Sequence, residues 1–280
     1  TDHGNLYGAI EFYKTCRAAG LKPIIGIEAY IATRSRFDKE PNIDNRRYHL
    51  TLLAKNLTGY RNLIKLVTAS HLEGYYYKPR LDKELLRQHS EGLICLSGCL
   101  AGELSKALWN RNQERAKAVV REHQEIFGPE NYYIELMHHP KLERQTEIKK
   151  ALIQLAKELK APPVATHDAH YLDPADREAQ HTLIAIQTGG DVEDTKRFFN
   201  REEDFSFIGP EEAEEYFADL PEALDNTLKI ADSCSLQLDL GRWVFPKFAL
   251  PAGGSYDQEL TRLAQHELAR YVNRQRERAA

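Results

Sequence analysis

The sequence is poor in the residues that mark special environments. Among 280 residues there are four cysteines, Cys16, Cys95, Cys99 and Cys234, too few and too unevenly spaced for a disulfide framework, so reduced thiols are expected. No apolar run approaches the ~18 residues that a membrane helix needs, and the amino end has no charged-then-apolar leader; the reading is a cytoplasmic protein with no membrane partner. The single methionine is Met137 and the chain begins Thr1-Asp2-His3, which predicts a segment ahead of Thr1. Internal repeats and low-complexity tracts are missing too. Nor is there a large excess of charge, with 38 basic against 42 acidic residues and a net charge of -4. That balance conceals an asymmetry. Residues 202–225 carry ten acidic and no basic side chains, leaving 38 basic against 32 acidic elsewhere, a remainder of +6 that permits contact with a polyanion without demanding it.

What is present describes a folded chain. Apolar residues make up 42% and charged residues 29%, the length suits one large domain or two ordinary ones, and a disordered or collagen-like chain is excluded. Short apolar runs at Ile24–Ala32, Tyr48–Ala54, Leu93–Ser97, Tyr132–Met137 and Pro163–His170 read as buried strands. Helical patterns lie between them at Leu6–Ala19, Tyr60–His71, Leu81–Gln88, Gly102–Ile126 and Leu142–Leu159. Strands separated by helical stretches are what βαβ crossovers require, so the expectation is α/β with a parallel sheet, closed as a barrel because functional-looking residues sit on several strands. Beyond residue 172 the pattern loosens into a helix over 173–187, a turn-rich polar segment over 188–210, and two acidic helices over 211–232 broken at Pro221. A Pro- and Gly-rich linker at Phe245–Gly254 and a last helix at Tyr256–Arg278 follow. That last helix gathers Leu260, Leu263, Ala264, Leu268, Tyr271 and Val272 on one face with nothing after it to pack on, which predicts continuation of the chain.

The densest chemistry is Thr166-His167-Asp168-Ala169-His170. In a strand, positions i and i+2 share a face, so Asp168 and His170 point together while His167 points away. They form half a metal site or a plain hydrogen-bonded pair. His3 stands before Gly4-Asn5 on a strand-to-helix loop. Glu28 lies inside an apolar strand, where an unpaired charge costs several kcal/mol, and so requires a partner. His49 opens the next strand, and Cys99 follows the Ser97-Gly98 turn, whereas Cys95 reads as core packing. His138-His139 either join the site or cap their strand. Together, His3, Glu28, His49, Cys99, Asp168 and His170 are imidazole, carboxylate and thiolate donors from strand ends spread over the series. This mixture suits Zn²⁺, Mn²⁺ or Fe²⁺ better than Mg²⁺ or Ca²⁺, and more than four ligands implies more than one ion. Such a cluster activates water and clamps a phosphate. Tyr75-Tyr76-Tyr77 with Lys78 and Arg80 either stack on bases and grip phosphates or pack on a barrel wall. Asn56-Leu57-Thr58 matches a glycosylation sequon only incidentally.

Five segments, TDHGNLYGAIEFY from Thr1, KPIIGIEAY from Lys22, HLTLLAKNLTGYRN from His49, GLICLSGCLAGE from Gly92 and VATHDAHYL from Val164, resemble successive motifs of the PHP (polymerase and histidinol phosphatase) domain. They are most similar to the form at the amino end of the alpha subunit of bacterial DNA polymerase III. The resemblance implies a distorted seven-stranded β/α barrel over 1–248, incomplete at the N-terminus, then a linker at 249–255, with 256–280 as the start of the polymerase core and a helical C-terminal extension overall. It implies that His3, Glu28, His49, Cys99, Asp168 and His170 hold up to three divalent ions, with 3′–5′ exonuclease chemistry on DNA and the polymerase holoenzyme as partner. The family's first motif, an HxH pair followed by an aspartate, would precede Thr1. Two other functions fit the same residues: a non-catalytic, metal-stabilised scaffold for the polymerase, and a free-standing histidinol-phosphatase-like phosphoesterase.

Overall fold

The computed structural model describes residues 1–191, 203–243, 245, 248–250 and 253–279. The expected linker at 249–255 and the turn-rich segment at 188–210 fall partly outside the described residues. The chain divides into two compact units, Thr1–Leu238 and Asp239–Ala280. In order, the first holds β1 (Asp2–His3), α1 (Ala9–Ala18), β2 (Gly26–Ala32), β3 (Arg47–Ala54), α2 (Leu57–Leu72), β4 (Arg80–Leu81), α3 (Lys83–Gln88), β5 (Leu93–Leu96), α4 (Glu103–Trp109) and α5 (Gln113–Phe127). It continues with β6 (Tyr132–Met137), α6 (Gln145–Leu159), β7 (Pro163–Thr166), α7 (Arg177–Thr188), α8 (Pro210–Tyr216) and α9 (Pro221–Ser233). The second unit holds α10 (Tyr256–Ala279).

The architecture is α/β on a seven-stranded sheet, in the order β1-β2-β3-β5-β6-β7, with β4 beside β1 on the same edge of β2. Among the described residues β1 and β7 do not pair, so the sheet is open, as an incomplete barrel would be. It is also mixed: β3 runs antiparallel to both β2 and β5, while the remaining pairs are parallel. The expectation of an all-parallel sheet fails at β3 because the connection 33–46 contains no crossover helix, and without one the returning strand pairs antiparallel. Ion pairs fix this connection: Arg34 to Asp44 at 2.5 Å and Arg36 to Asp82 at 3.0 Å. Arg80, fully buried, donates to the carbonyl oxygens of Arg36, Asp38, Asp44 and Gly74.

Capping side chains set the helix boundaries. Asn56, the sequon residue, accepts from the Gly59 amide and starts α2 earlier than the apolar pattern predicts. The single helix expected over 102–126 is two, because Asn112 caps α5 by accepting from the Arg115 amide at 3.0 Å after a turn in which Arg111 adopts φ +56°. Pro210 and Pro221 occupy first turns of α8 and α9, confirming the break. Leu52, Leu63, Leu66 and Leu86 are completely buried between sheet and helices. Each contributes roughly 1.5–3 kcal/mol by leaving water. Cys95 belongs to this core as expected.

Candidate metal centre

Parallel pairing of β1 with β2 sets His3 opposite Glu28, and antiparallel pairing of β2 with β3 sets His49 opposite Tyr30, diagonal to Glu28. The three candidate ligand side chains meet there. Glu28 Oε2 lies 3.1 Å from His3 Nε2, and Oε1 lies 2.5 Å from His49 Nδ1. Each residue offers a ligand atom within 4.8 Å of the others. Burial pushes the Glu28 carboxyl up, but hydrogen bonds from both imidazoles outweigh it and hold the group well below the usual carboxylate range. The same bond raises His3 above the ordinary histidine value. This is the partner that an in-strand carboxylate requires.

Cys99 arrives on the turn after β5. Gly98 takes φ +83°, and a Cβ there would stand 2.5 Å from the His49 carbonyl oxygen, so only glycine lets the turn lie directly on β3. The His49 amide donates to the Ala101 carbonyl, and Cys99 Sγ comes 3.7 Å from His49 Nδ1. Burial, reinforced by the Glu28 charge, pushes the Cys99 thiol up to about 12, so without a cation it stays protonated.

Asp168 and His170 line the same cavity of about 350 Å³ as His3, Glu28, His49 and Cys99. They do not lie on a strand. β7 ends at Thr166, so the shared-face argument does not apply; a tight turn joins them instead, with His170 Nδ1 2.8 Å from the Asp168 carbonyl oxygen and 3.6 Å from its carboxylate. Burial raises the Asp168 pKa, with the Glu28 charge adding to the effect and His170 opposing it. The structure thus brings all six predicted residues onto one cavity and gathers three of them into a tight corner.

The two adjacent histidines separate. His139 enters the cavity wall, 2% exposed, with neither ring nitrogen hydrogen-bonded among the described residues, while His138 stacks on Tyr216 at 4.4 Å. Of the tyrosine cluster, Tyr75 and Tyr77 are exposed, whereas Arg80 is buried, donating to backbone carbonyls with its guanidinium 5.3 Å from the Tyr76 ring centre. One residue escaped the sequence reading. Glu135, in the middle of β6, accepts from Thr166 Oγ1 at 2.8 Å, the Gly98 amide at 3.0 Å and Thr51 Oγ1 at 3.3 Å. It therefore ties together the segments that carry Asp168, Cys99 and His49. Its carboxyl is pushed up to about 7 by complete burial. A charge inside an apolar strand, the signal that marked Glu28, marks Glu135 equally.

The donor set fits a borderline-soft divalent cation: two imidazoles already turned toward a shared carboxylate, with a thiol alongside. Residues 1–139 match the PHP domain family. The chain is 42% identical to the DNA polymerase III alpha subunit of Treponema pallidum (strain Nichols) over 90% of its own length, and 42% identical to that of Thermus aquaticus over 98%. The Borreliella burgdorferi subunit is 41% identical over 93% of the chain. The chain spans only 22% to 23% of the length of these curated relatives. With motifs, sheet and relatives in agreement, residues 1–139 belong to the PHP domain family, and the chain carrying them resembles part of a DNA polymerase III alpha subunit.

Proposed function

We propose that the chain is the PHP portion of a DNA polymerase III alpha subunit and houses metal-dependent hydrolysis of phosphodiester bonds at the 3′ end of DNA. The observation that carries this reading is the convergence of His3, Glu28, His49, Cys99, Asp168 and His170 on one cavity from segments spread along the chain. These residues would hold up to three divalent ions, with zinc, manganese or iron favoured over magnesium by the imidazole and thiol donors. When bound, such ions supply water activation and charge neutralisation at the phosphate.

The protein's own contribution is orientation and proton balance. Glu28 keeps its charge and aims the His3 and His49 rings. Cys99 must release the proton from Sγ to act as a ligand, which makes metal uptake favourable at higher pH. Residues 256–280 would begin the polymerase core, with DNA, the rest of the alpha subunit and its holoenzyme as partners. The test is primer shortening with Mn²⁺ or Zn²⁺ by the complete subunit and by its Asp168→Ala and His170→Ala variants. A loss of at least ~100-fold is expected for removed ligands. Unchanged shortening refutes hydrolysis, and a lowered melting temperature without any nuclease defect identifies a scaffold.

A further inference from the structure

Beside the His3–Glu28–His49 corner stand two cations with no anionic partner among the described residues. β2 and β3 pair so that Glu28 opposes Thr51, Tyr30 opposes His49 and Ala32 opposes Arg47. Alternate residues share a face, so Arg47 occupies the face that carries Glu28 and His49, one cross-strand pair beyond His49. The Arg47 guanidinium lies 5.4 Å from the Tyr30 ring centre, and Lys78 Nζ lies 5.8 Å from it. That ring is itself 5.3 Å from His49 and 6.2 Å from His3. The loop bearing Lys78 is seated against the start of the site: a Cβ on Gly4 would meet Pro79 at 2.8 Å, and His71 Nε2 is 3.0 Å from the Gly4 carbonyl oxygen.

Other arginines nearby are satisfied. Arg34 and Arg36 pair with carboxylates and Arg80 with carbonyls. Among the described residues, neither Arg47 nor Lys78 forms an ion pair. Arg47 donates from Nη1 to the Asn45 carbonyl oxygen, while its Nε is buried without a partner. Contact with the Tyr30 ring offsets part of the repulsion between two like charges. An anion gripped by both side chains would offset the remainder through charge-assisted hydrogen bonds. Flanking Lys78, the rings of Tyr75 and Tyr77 stand 53% and 66% exposed, and Tyr77 is held at φ +59°, a conformation that bulky residues seldom adopt. Cations interleaved with exposed rings are the surface that a single nucleic-acid strand recognises through phosphate and base stacking.

We propose that Arg47 and Lys78 form a phosphate-gripping rim that leads a single strand of DNA into the His3–Glu28–His49 corner. The inference rests on the hydrolytic reading for its purpose, and its test is binding rather than turnover. Fluorescence anisotropy of a labelled single-stranded oligodeoxynucleotide, with EDTA present, would be measured on the full 280-residue chain and on Arg47→Ala, Lys78→Ala and the double variant. The double variant is expected to bind about tenfold more weakly and to lose about 0.7 per side chain from the slope of log affinity against log salt. Lys150→Ala, an exposed change on α6, should match wild type. Lys78→Ala removes an exposed side chain and keeps the test valid if an Arg47 variant fails to fold. Unaltered affinity and slope in Lys78→Ala and the double variant overturn the rim, as does a wild-type chain that ignores the oligonucleotide. Inorganic phosphate competing as well as the oligonucleotide overturns the strand assignment. Rim-dependent binding without hydrolysis refutes only the catalytic reading, whereas hydrolysis with unchanged KM in the double variant refutes only the rim.

Discussion

Glu28 and Glu135 are both carboxylates inside apolar strands, and both lie next to Thr51, yet the protein treats them oppositely. Glu28 faces the cavity, where two imidazoles keep it ionised despite burial. Glu135 sits behind the cavity, where its partners are two hydroxyls and an amide, and burial prevails, raising the carboxyl to about 7. The difference lies in the partners. Cationic or proton-sharing donors make a charge available to a ligand, whereas neutral donors make a hydrogen-bonded brace that can carry its own proton.

Removing Glu28 should have the largest effect. Glu28→Ala is expected to lower Zn²⁺ affinity beyond the ~100-fold that loss of an outer-shell partner produces, as isothermal calorimetry would show. If affinity is retained, the corner is not the metal site. Glu135→Gln is expected to act on stability and its pH dependence. Between the ordinary carboxyl value of 4.5 and about 7, folded Glu135 keeps a proton that the unfolded chain has lost, so stability falls as pH rises through that window. The fall is about 3 kcal/mol. Glu135→Gln should abolish this slope, read by urea unfolding at pH 5 and pH 8, and equal slopes in both proteins would place the proton elsewhere. Glu28 has the reverse sign: its depressed value contributes stability that is lost on acidification below 4.5. At neutral pH the smallest effect belongs to His139, held down to about 4 by burial and lacking hydrogen bonds among the described residues. The folded chain resists protonation there while the unfolded chain accepts it, so stability drops as pH falls from 6.5 to about 4. His139→Phe should remove that drop and stabilise the protein by about 1 kcal/mol at neutral pH, measured by thermal melting.

Much of the centre was legible because its residues stand where apolar runs stop or are interrupted. His3, His49 and Cys99 mark such ends, and Glu28 marks an interruption. Asp168 and His170 are legible as residue types but not in their geometry, since the strand expected to present them ends at Thr166 and the segment beyond it carries both. Glu135 carries the same mark as Glu28, but its role is hidden in the sequence because its brace depends on Thr51, Gly98 and Thr166, residues far apart along the chain. The direction of β3 was hidden for a related reason. The connection 33–46 is ordered by Arg34, Arg36 and Arg80, and periodicity registers neither ion pairs nor a buried guanidinium.

The buried Arg80 couples parts of the molecule that sequence keeps apart. Its five-donor fork spans the carbonyls of the loop ahead of Arg47 and that of Gly74 at the root of the tyrosine loop. Both segments of the proposed rim therefore hang from a single peg, and an ammonium there, a point charge with three donors in place of a planar five-donor fork, would not span all four carbonyls.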